Sequence, residues 1–229
     1  MHKIEINTPE LPFSVEEALN KLRINIKFCG DDKKKLIISS SNPDEGKSVI
    51  AVQLWKMLAE AGFPTVLVDL DLRKSVFMDR YKINHNEEKK DIIYYLSGMA
   101  KYEEIVYSTN LENGFIVPVF TTLENPSILL ENKKLPEVLD KLAETYRYVI
   151  VDSPPLQNVA DGSLIASACD GAILVVRCGF TSKREISDSI KQINISNCPL
   201  LGVVLNRAEV KNKIYKKYYS KSSYGGYYH

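Results

Sequence analysis

Ser41-Asn-Pro-Asp-Glu-Gly-Lys-Ser48 decides how this chain is read. The residues before it, Lys35-Leu-Ile-Ile-Ser39, form a short apolar run with the length of a buried strand. The residues after it, Lys47 to Ala61, read as a helix closed by Gly62. A loop ending in Gly-Lys-Ser between a strand and a helix has the spacing of a P-loop. Backbone N–H groups of such a loop, together with the helix N-terminus, point at phosphate oxygens. Gly46 lets the backbone come close, Lys47 brings a positive charge to the β- and γ-phosphates, and Ser48 offers a hydroxyl to Mg²⁺. Pro43, Asp44, Glu45 and Val49 complete the expected phosphate-binding set. Ser41 departs from the motif, which has Gly there. Taken alone, the stretch also reads as an ordinary strand–turn–helix with a Gly in its turn.

Working outward, a helix is expected over Ser14 to Cys29, with Ser14 and Glu17 as a capping box. Thr65 to Leu70, Gly114 to Phe120, Tyr148 to Asp152, Gly171 to Val176 and Leu200 to Leu205 read as further strands. Asp91 to Gly98, Pro136 to Tyr146 and Lys183 to Ile193 read as helices. The strands are continuous apolar runs, so both faces of the sheet should be covered. Helices alternating with such strands predict an α/β fold, P-loop NTPase-like and doubly wound, with a mainly parallel sheet flanked by helices on both faces. Ligands of open α/β sheets bind beyond the carboxyl ends of the strands. Asp69 and Asp71 follow one apolar strand and Asp152 ends another, so all three are expected to converge on the phosphate loop. Hard carboxylate oxygens at such a place suit a Mg²⁺-dependent nucleotide reaction.

Composition narrows the class. The 229 residues are 45% hydrophobic and 26% charged, which excludes disordered, collagen-like and coiled-coil chains. The net charge of +1 gives no whole-chain field for nucleic acid, and no nucleic-acid partner is expected. Cys29, Cys169, Cys178 and Cys198 lack metal or disulfide spacing and are expected to be buried thiols of a reducing compartment. No apolar run is long enough to span a bilayer. Neutrality conceals an asymmetry, because residues 207–229 hold six Lys/Arg and one acid, a net +5 against −4 for the remainder. The same segment carries Tyr215, Tyr218, Tyr219, Tyr224, Tyr227 and Tyr228, six of the 13 tyrosines. It is expected to be a flexible tail following a domain over 1–206.

Three stretches together, Pro43-x-Glu-Gly-Lys-Ser48, Asp69-x-Asp71-x-Arg73 and Asp152-Ser-Pro-Pro155, resemble the bacterial tyrosine kinases of capsule and exopolysaccharide synthesis. They match that family's Walker A, Walker A′ and Walker B motifs. The likeness continues through Asn125-Pro-Ser127-x-Leu-Leu130, Thr181-Ser-Lys-Arg-Glu185 and Gly202-Val-Val-Leu-Asn206, covering roughly residues 14–206. The resemblance implies ATP and Mg²⁺ as cofactors and phosphorylation of tyrosine, mainly on a neighbouring subunit's tail. It implies that Lys47 contacts phosphates and that Ser48, Asp152 and Asp69 serve the metal. Asp69 would accept or orient the tyrosyl proton, Asp71 would support metal and tyrosine, and Arg73 would steady the phosphate or the Asp pair. Asn206 matches a position used for adenine, and the six tail tyrosines match the family's phosphoacceptor cluster. Each phosphate adds about −1.5 to −2 charges, so three or four would cancel the tail's +5.

The resemblance also implies partners: a separate transmembrane activator or polysaccharide co-polymerase, a cognate tyrosine phosphatase and other copies of the chain. The expected place is the cytoplasm, at the inner face of the membrane through the activator. Glu17-Ala-Leu-Asn20-Lys-Leu-Arg23 departs from the family's ring-assembly motif at Asn20, where Arg is expected, which puts an eight-fold ring in question. Two other readings stand beside the kinase. One is an ATP-driven dimerising switch of the septum- or plasmid-positioning class, against which the Lys-free Ser39-Ser-Ser-Asn-Pro43 counts. The other is a degenerate ATP-binding scaffold.

Overall fold

The computed structural model describes residues 3–83, 90–157 and 160–208. The six expected acceptor tyrosines lie outside the described residues. In chain order the elements are β1 (Lys3–Ile4), α1 (Phe13–Phe28), β2 (Lys35–Ser40), α2 (Lys47–Glu60), β3 (Thr65–Asp69), α3 (Phe77–Tyr81), α4 (Ile92–Leu96), α5 (Tyr102–Ile105), β4 (Tyr107–Thr109), β5 (Gly114–Val117), α6 (Ser127–Leu130), α7 (Lys134–Thr145), β6 (Tyr148–Asp152), α8 (Asp161–Ala166), β7 (Gly171–Arg177), α9 (Lys183–Ile195) and β8 (Leu200–Asn206).

Among the described residues the strands form one sheet in the order β1-β4-β5-β3-β6-β2-β7-β8. Neighbours are parallel except β4 and β5. Successive side chains of a strand point to opposite faces, and here both faces are apolar. Ile37, Val66, Val68, Val149, Val151 and Leu174 join one core with residues of α4 to α9. Leu36, Ile38, Leu67, Ile150, Ile173 and Val175 join the other core with residues of α1, α2 and α3. The expected α/β architecture with helices on both faces is therefore what forms. β2 sits between β6 and β7, and the next strand in the chain, β3, lies beyond β6. The carboxyl ends of β2, β3 and β6 consequently open one crevice.

Several local expectations change. α1 begins at Phe13 without a side-chain cap. The carbonyl of Pro12 accepts from Val15 N (2.8 Å) and Glu16 N (3.1 Å), so Ser14 lies within the first turn and does not form the expected capping box. β5 stops at Val117, short of Phe120, because Pro118 has no N–H to continue the ladder. Cys169 and Cys198 are buried, but Cys178 is exposed and Cys29 half-buried. β8 is an edge strand, and its second apolar face is not fully covered: Val203 and Leu205 are 47% and 57% exposed. No helix among the described residues is long and apolar enough to cross a membrane.

Candidate active site

The loop from Ser41 to Gly46 leaves β2 and turns into α2 through two left-handed residues, Asp44 (φ 60°) and Gly46 (φ 97°). At Gly46 the backbone conformation and the space both require glycine, because a Cβ there would lie 2.2 Å from Asn206 Nδ2. That amide donates to the Glu45 carbonyl at 2.8 Å, which ties the end of β8 to the loop.

Three hydrogen bonds brace the loop against the β7–α9 side. Ser189 Oγ donates to Ser41 Oγ at 2.9 Å. Asn42 Nδ2 donates to Glu185 Oε1 at 3.0 Å. Thr181 Oγ1 donates to Glu45 Oε1, while Glu45 Oε2 accepts from Asn42 N at 3.0 Å. Ser41, which departs from the usual Gly, is thus a buried hydroxyl with a partner on α9. The Glu45 carboxylate is fully buried and braces the loop through Thr181 and Asn42 N, so any phosphate contact of Glu45 falls to its backbone N–H. Glu185 itself belongs to a capping box with Ser182 at the start of α9. The Thr181–Glu185 stretch therefore supports the loop.

The carboxylates converge as expected. Asp69 and Asp152 are paired in register on adjacent strands, 1% and 4% exposed. Asp69 Oδ1 accepts from Asp71 N at 3.1 Å, and Ser75 Oγ donates to its other oxygen. Asp71 reaches across to the loop, where Lys47 Nζ donates to its Oδ2 at 2.9 Å. Burial and then the neighbouring Asp152 push the Asp69 carboxyl up to about 8, against the pull of the Ser75 hydroxyl. Burial also raises Asp152, although Lys47 and Ser48 favour its charged form. Burial would lower Lys47, but Asp152, Asp71 and Asp69 outweigh it and the amine is raised. Lys47 is therefore charged at neutral pH.

Arg73, expected to steady the phosphate or the Asp pair, lines the cleft while its guanidinium is tied to a distant part of the chain. Its guanidinium makes a two-pronged pair with Asp161, the first residue of α8, which is 1% exposed. It also donates to the Glu124 carbonyl at 2.7 Å and to Ser127 Oγ at 3.2 Å, and Ser127 Oγ donates to Asp161 at 2.7 Å. Ser127, in the Asn125-Pro-Ser127 stretch, thus helps anchor the wall of the cleft. Nothing in the local sequence marks Asp161 as the partner of an arginine 88 positions away.

These residues surround a cleft of about 480 Å³. Pro43, Asp44, Gly46, Lys47, Ser48 and Val49 form one wall, and Asp71, Arg73, Lys74, Val76 and Arg80 face them. Asn206 and Arg207 close one end. The volume lies within the usual range of ligand sites. The residues present fit a magnesium nucleotide. Asp152 Oδ1 is buried without a hydrogen-bond partner, and Ser48 is close enough to favour that carboxylate's charged form. A hydroxyl and a carboxylate are the hard oxygen donors Mg²⁺ takes, and Mg²⁺ needs few of them because it keeps several waters.

The AAA domain family model matches residues 34–208. The tyrosine-protein kinase CpsD of Streptococcus pneumoniae is 34% identical over 227 residues, 98% of this chain and 99% of that protein. CpsD of Streptococcus agalactiae is 35% identical over 89% of this chain and 88% of its own length. The tyrosine-protein kinase YwqD of Bacillus subtilis is 29% identical over 91% and 88%. Among solved structures, the chimerical protein CapA2B2 superposes with a TM-score of 0.78 at 28% identity, covering 89% of this chain and 92% of that one. The Mg-ADP complex of the septum site-determining protein MinD from Pyrococcus horikoshii shares the fold, with a TM-score of 0.64 at 22% identity over 77% of this chain and 72% of that one. With its three motifs gathered around one cleft and its full-length likeness to the CpsD proteins, the chain belongs to the family of bacterial tyrosine-protein kinases.

Proposed function

We propose that this protein is an ATP- and Mg²⁺-dependent tyrosine autokinase that phosphorylates its own C-terminal cluster, in trans between copies, and so regulates capsule or exopolysaccharide synthesis. The observation that carries the reading is the Lys47–Asp71 contact at 2.9 Å beside the Asp69–Asp152 pair. It supports a reading in which Lys47, lining the cleft, meets the phosphates and the buried carboxylates behind Asp71 serve the metal and the proton. Loop N–H groups and Lys47 would hold the phosphates, and Asn206 the base. Ser48, Asp152 and Asp69 would hold Mg²⁺, which when bound supplies neutralisation of the phosphate oxygens. Asp69 then takes the proton of the attacking tyrosyl hydroxyl. A tyrosine near 10 needs an oriented acceptor more than a strong base; the Asp69 carboxyl, which burial and Asp152 raise to about 8 and so keep protonated at neutral pH, would become that acceptor once bound Mg²⁺ favours its charged form. Asp71 steadies Lys47 and the incoming tyrosine, while Arg73 acts through Asp161 and Ser127 as a positioning residue.

A relative from Klebsiella pneumoniae named for the cps region supports a place in polysaccharide synthesis. With it come a transmembrane activator, a tyrosine phosphatase and a cytoplasmic position at the membrane face. Self-association would not reproduce the family's ring contact unchanged, because Asn20 accepts from Arg23 on its own helix (3.3 and 3.4 Å). The test is incubation with ATP, Mg²⁺ and the activator's cytoplasmic segment, followed by mass spectrometry of the C-terminal peptide. Phosphate on Tyr215 to Tyr228, absent from Lys47→Met, is expected. Equal absence from both chains refutes the kinase.

A further inference from the structure

The cleft holds more positive charge than its nucleotide wall uses. Two of its cations are committed, Lys47 to Asp71 and Arg73 to Asp161, Ser127 and Glu124. Two others on the same wall as Arg73, Lys74 and Arg80, line the cleft with exposed side chains that have no ion-pair or hydrogen-bond partner among the described residues. Neither is remote from the chemistry. The Lys74 amide donates to Asp71 Oδ1 at 3.2 Å, so this side chain springs from the turn that carries the paired carboxylate. Arg80 stands in α3 close enough to favour the charged form of Asp152. Unpaired cations lining the cleft that holds the P-loop are open to a chain that enters it.

That chain creates a puzzle of sign. The expected acceptor segment carries +5 before modification, and a cationic wall repels it. A phosphotyrosine reverses the interaction, since it brings about −1.5 to −2 charges and three strong acceptor oxygens suited to Lys and Arg. The acceptor tyrosines also come close together, with Tyr218-Tyr219 and Tyr227-Tyr228 adjacent in sequence. A phosphate on one member of a pair is carried to the cleft when its neighbour enters.

We propose that Lys74 and Arg80 form a subsite for a phosphate monoester already on the acceptor chain, a phosphotyrosine beside the tyrosine to be modified. The subsite rests on the kinase reading and deepens it. The first phosphate on a tail is the slow one, and later ones follow on a chain that the wall now attracts. Partly modified tails are therefore short-lived, and the population divides into unmodified and multiply phosphorylated chains.

The test reads binding without turnover. A fluorescent peptide of residues 209–229, unmodified or phosphorylated on Tyr218, is titrated with the full chain in saturating ADP and Mg²⁺ and followed by anisotropy. The phosphopeptide is expected to bind at least tenfold more tightly. Lys74→Gln/Arg80→Gln removes that preference, and Arg80→Lys retains most of it. Both positions are exposed, so the core is untouched by these changes. Equal affinity of the two peptides, or unchanged preference in the double variant, overturns the subsite. So does a parallel loss of ADP affinity in that variant, which assigns the cations to the nucleotide. Displacement of the phosphopeptide by inorganic phosphate as readily as by unlabelled phosphopeptide also overturns it, by reducing the site to a free-anion site. Because no phosphate is transferred here, these outcomes judge the subsite alone, and the transfer experiment above judges the kinase.

Discussion

Removing the Arg73 guanidinium while leaving Asp161 in place isolates what holds the cleft wall. In Arg73→Met, Asp161 becomes a carboxylate that is 1% exposed and keeps only the Ser127 hydroxyl as a side-chain donor. Breaking a buried pair from one side costs about 3–5 kcal/mol because the orphaned charge stays buried. Arg73 is itself 30% exposed and Ser127 remains, so about 2–3 kcal/mol is expected. For a chain of this size that is roughly 4–12 °C in Tm. Asp161→Asn costs less, about 1 kcal/mol, because the amide oxygen still accepts and Arg73 keeps the Glu124 carbonyl. The double variant should fall short of the sum by at least about 1 kcal/mol, since neither partner is then left charged and unpaired. Urea unfolding of the four chains in the same buffer gives the cycle. Strict additivity, or an Arg73→Met chain within about 0.5 kcal/mol of the parent, refutes the claim that this pair anchors the wall.

Three further outcomes are expected. Gly46→Ala combines a left-handed residue with a Cβ 2.2 Å from Asn206 Nδ2, so it should cost about 2 kcal/mol in denaturant unfolding and at least tenfold in ADP affinity by calorimetry; adding Asn206→Ala should restore only the part of the stability lost to the clash, and full restoration of stability would disprove the backbone contribution. Ser189→Ala should cost about 1 kcal/mol in denaturant unfolding by leaving the buried Ser41 hydroxyl without its partner, whereas Ser41→Gly/Ser189→Ala should cost no more than Ser189→Ala alone if that partner is the only issue. Asp69, held up to about 8 from an ordinary value of 3.8, binds a proton in the folded chain that the unfolded chain has released, so stability without nucleotide falls as pH rises between those values, by up to about 1.4 kcal/mol per unit. Thermal melts from pH 5.5 to 8 should show this fall in the parent and a flatter profile in Asp69→Asn; the same slope in both would assign the effect elsewhere.

The parts of the fold that were legible are those written in contiguous residues. The β2–loop–α2 unit, the Asp-ended strands β3 and β6 and the helix beginning near Lys183 each carry their own pattern of apolar run, glycine or cap. β1 and β4, two and three residues long, carry too little pattern to be seen and exist only because neighbouring strands hold them. Ser14 looked like a cap because Ser-x-x-Glu is the usual signal, yet Pro12 already supplies the carbonyl that starts the helix. In the site, Lys47, Asp69, Asp71 and Asp152 could be named because strand ends and the loop must meet at a switch point. The partners of Asp161, Ser189 and Thr181 could not, even though Thr181 lies in a stretch that carries the family resemblance, since each meets its partner across 88, 148 or 136 positions. For the same reason the Asp161 partner of Arg73 is not legible, because the motif of Arg73 is local and its partner is not.

The last strand of the sheet ends in Asn206, and Asn206 and Arg207 border the nucleotide cleft. On the proposed reading, the expected acceptor cluster is therefore tethered at the doorway of the cleft. Tyr215 follows Arg207 by eight residues, a contour of roughly 26–29 Å when extended. A substrate tied so close is presented at an effective concentration on the order of millimolar, whatever the amount of protein. If modification runs in trans as proposed, it must outpace that tether, so bringing many copies close together would be a kinetic requirement as well as a matter of location. Diluting the protein should expose the contest directly: the rate per chain falls with concentration where neighbours act on one another, and levels off at the point where each chain begins to serve itself.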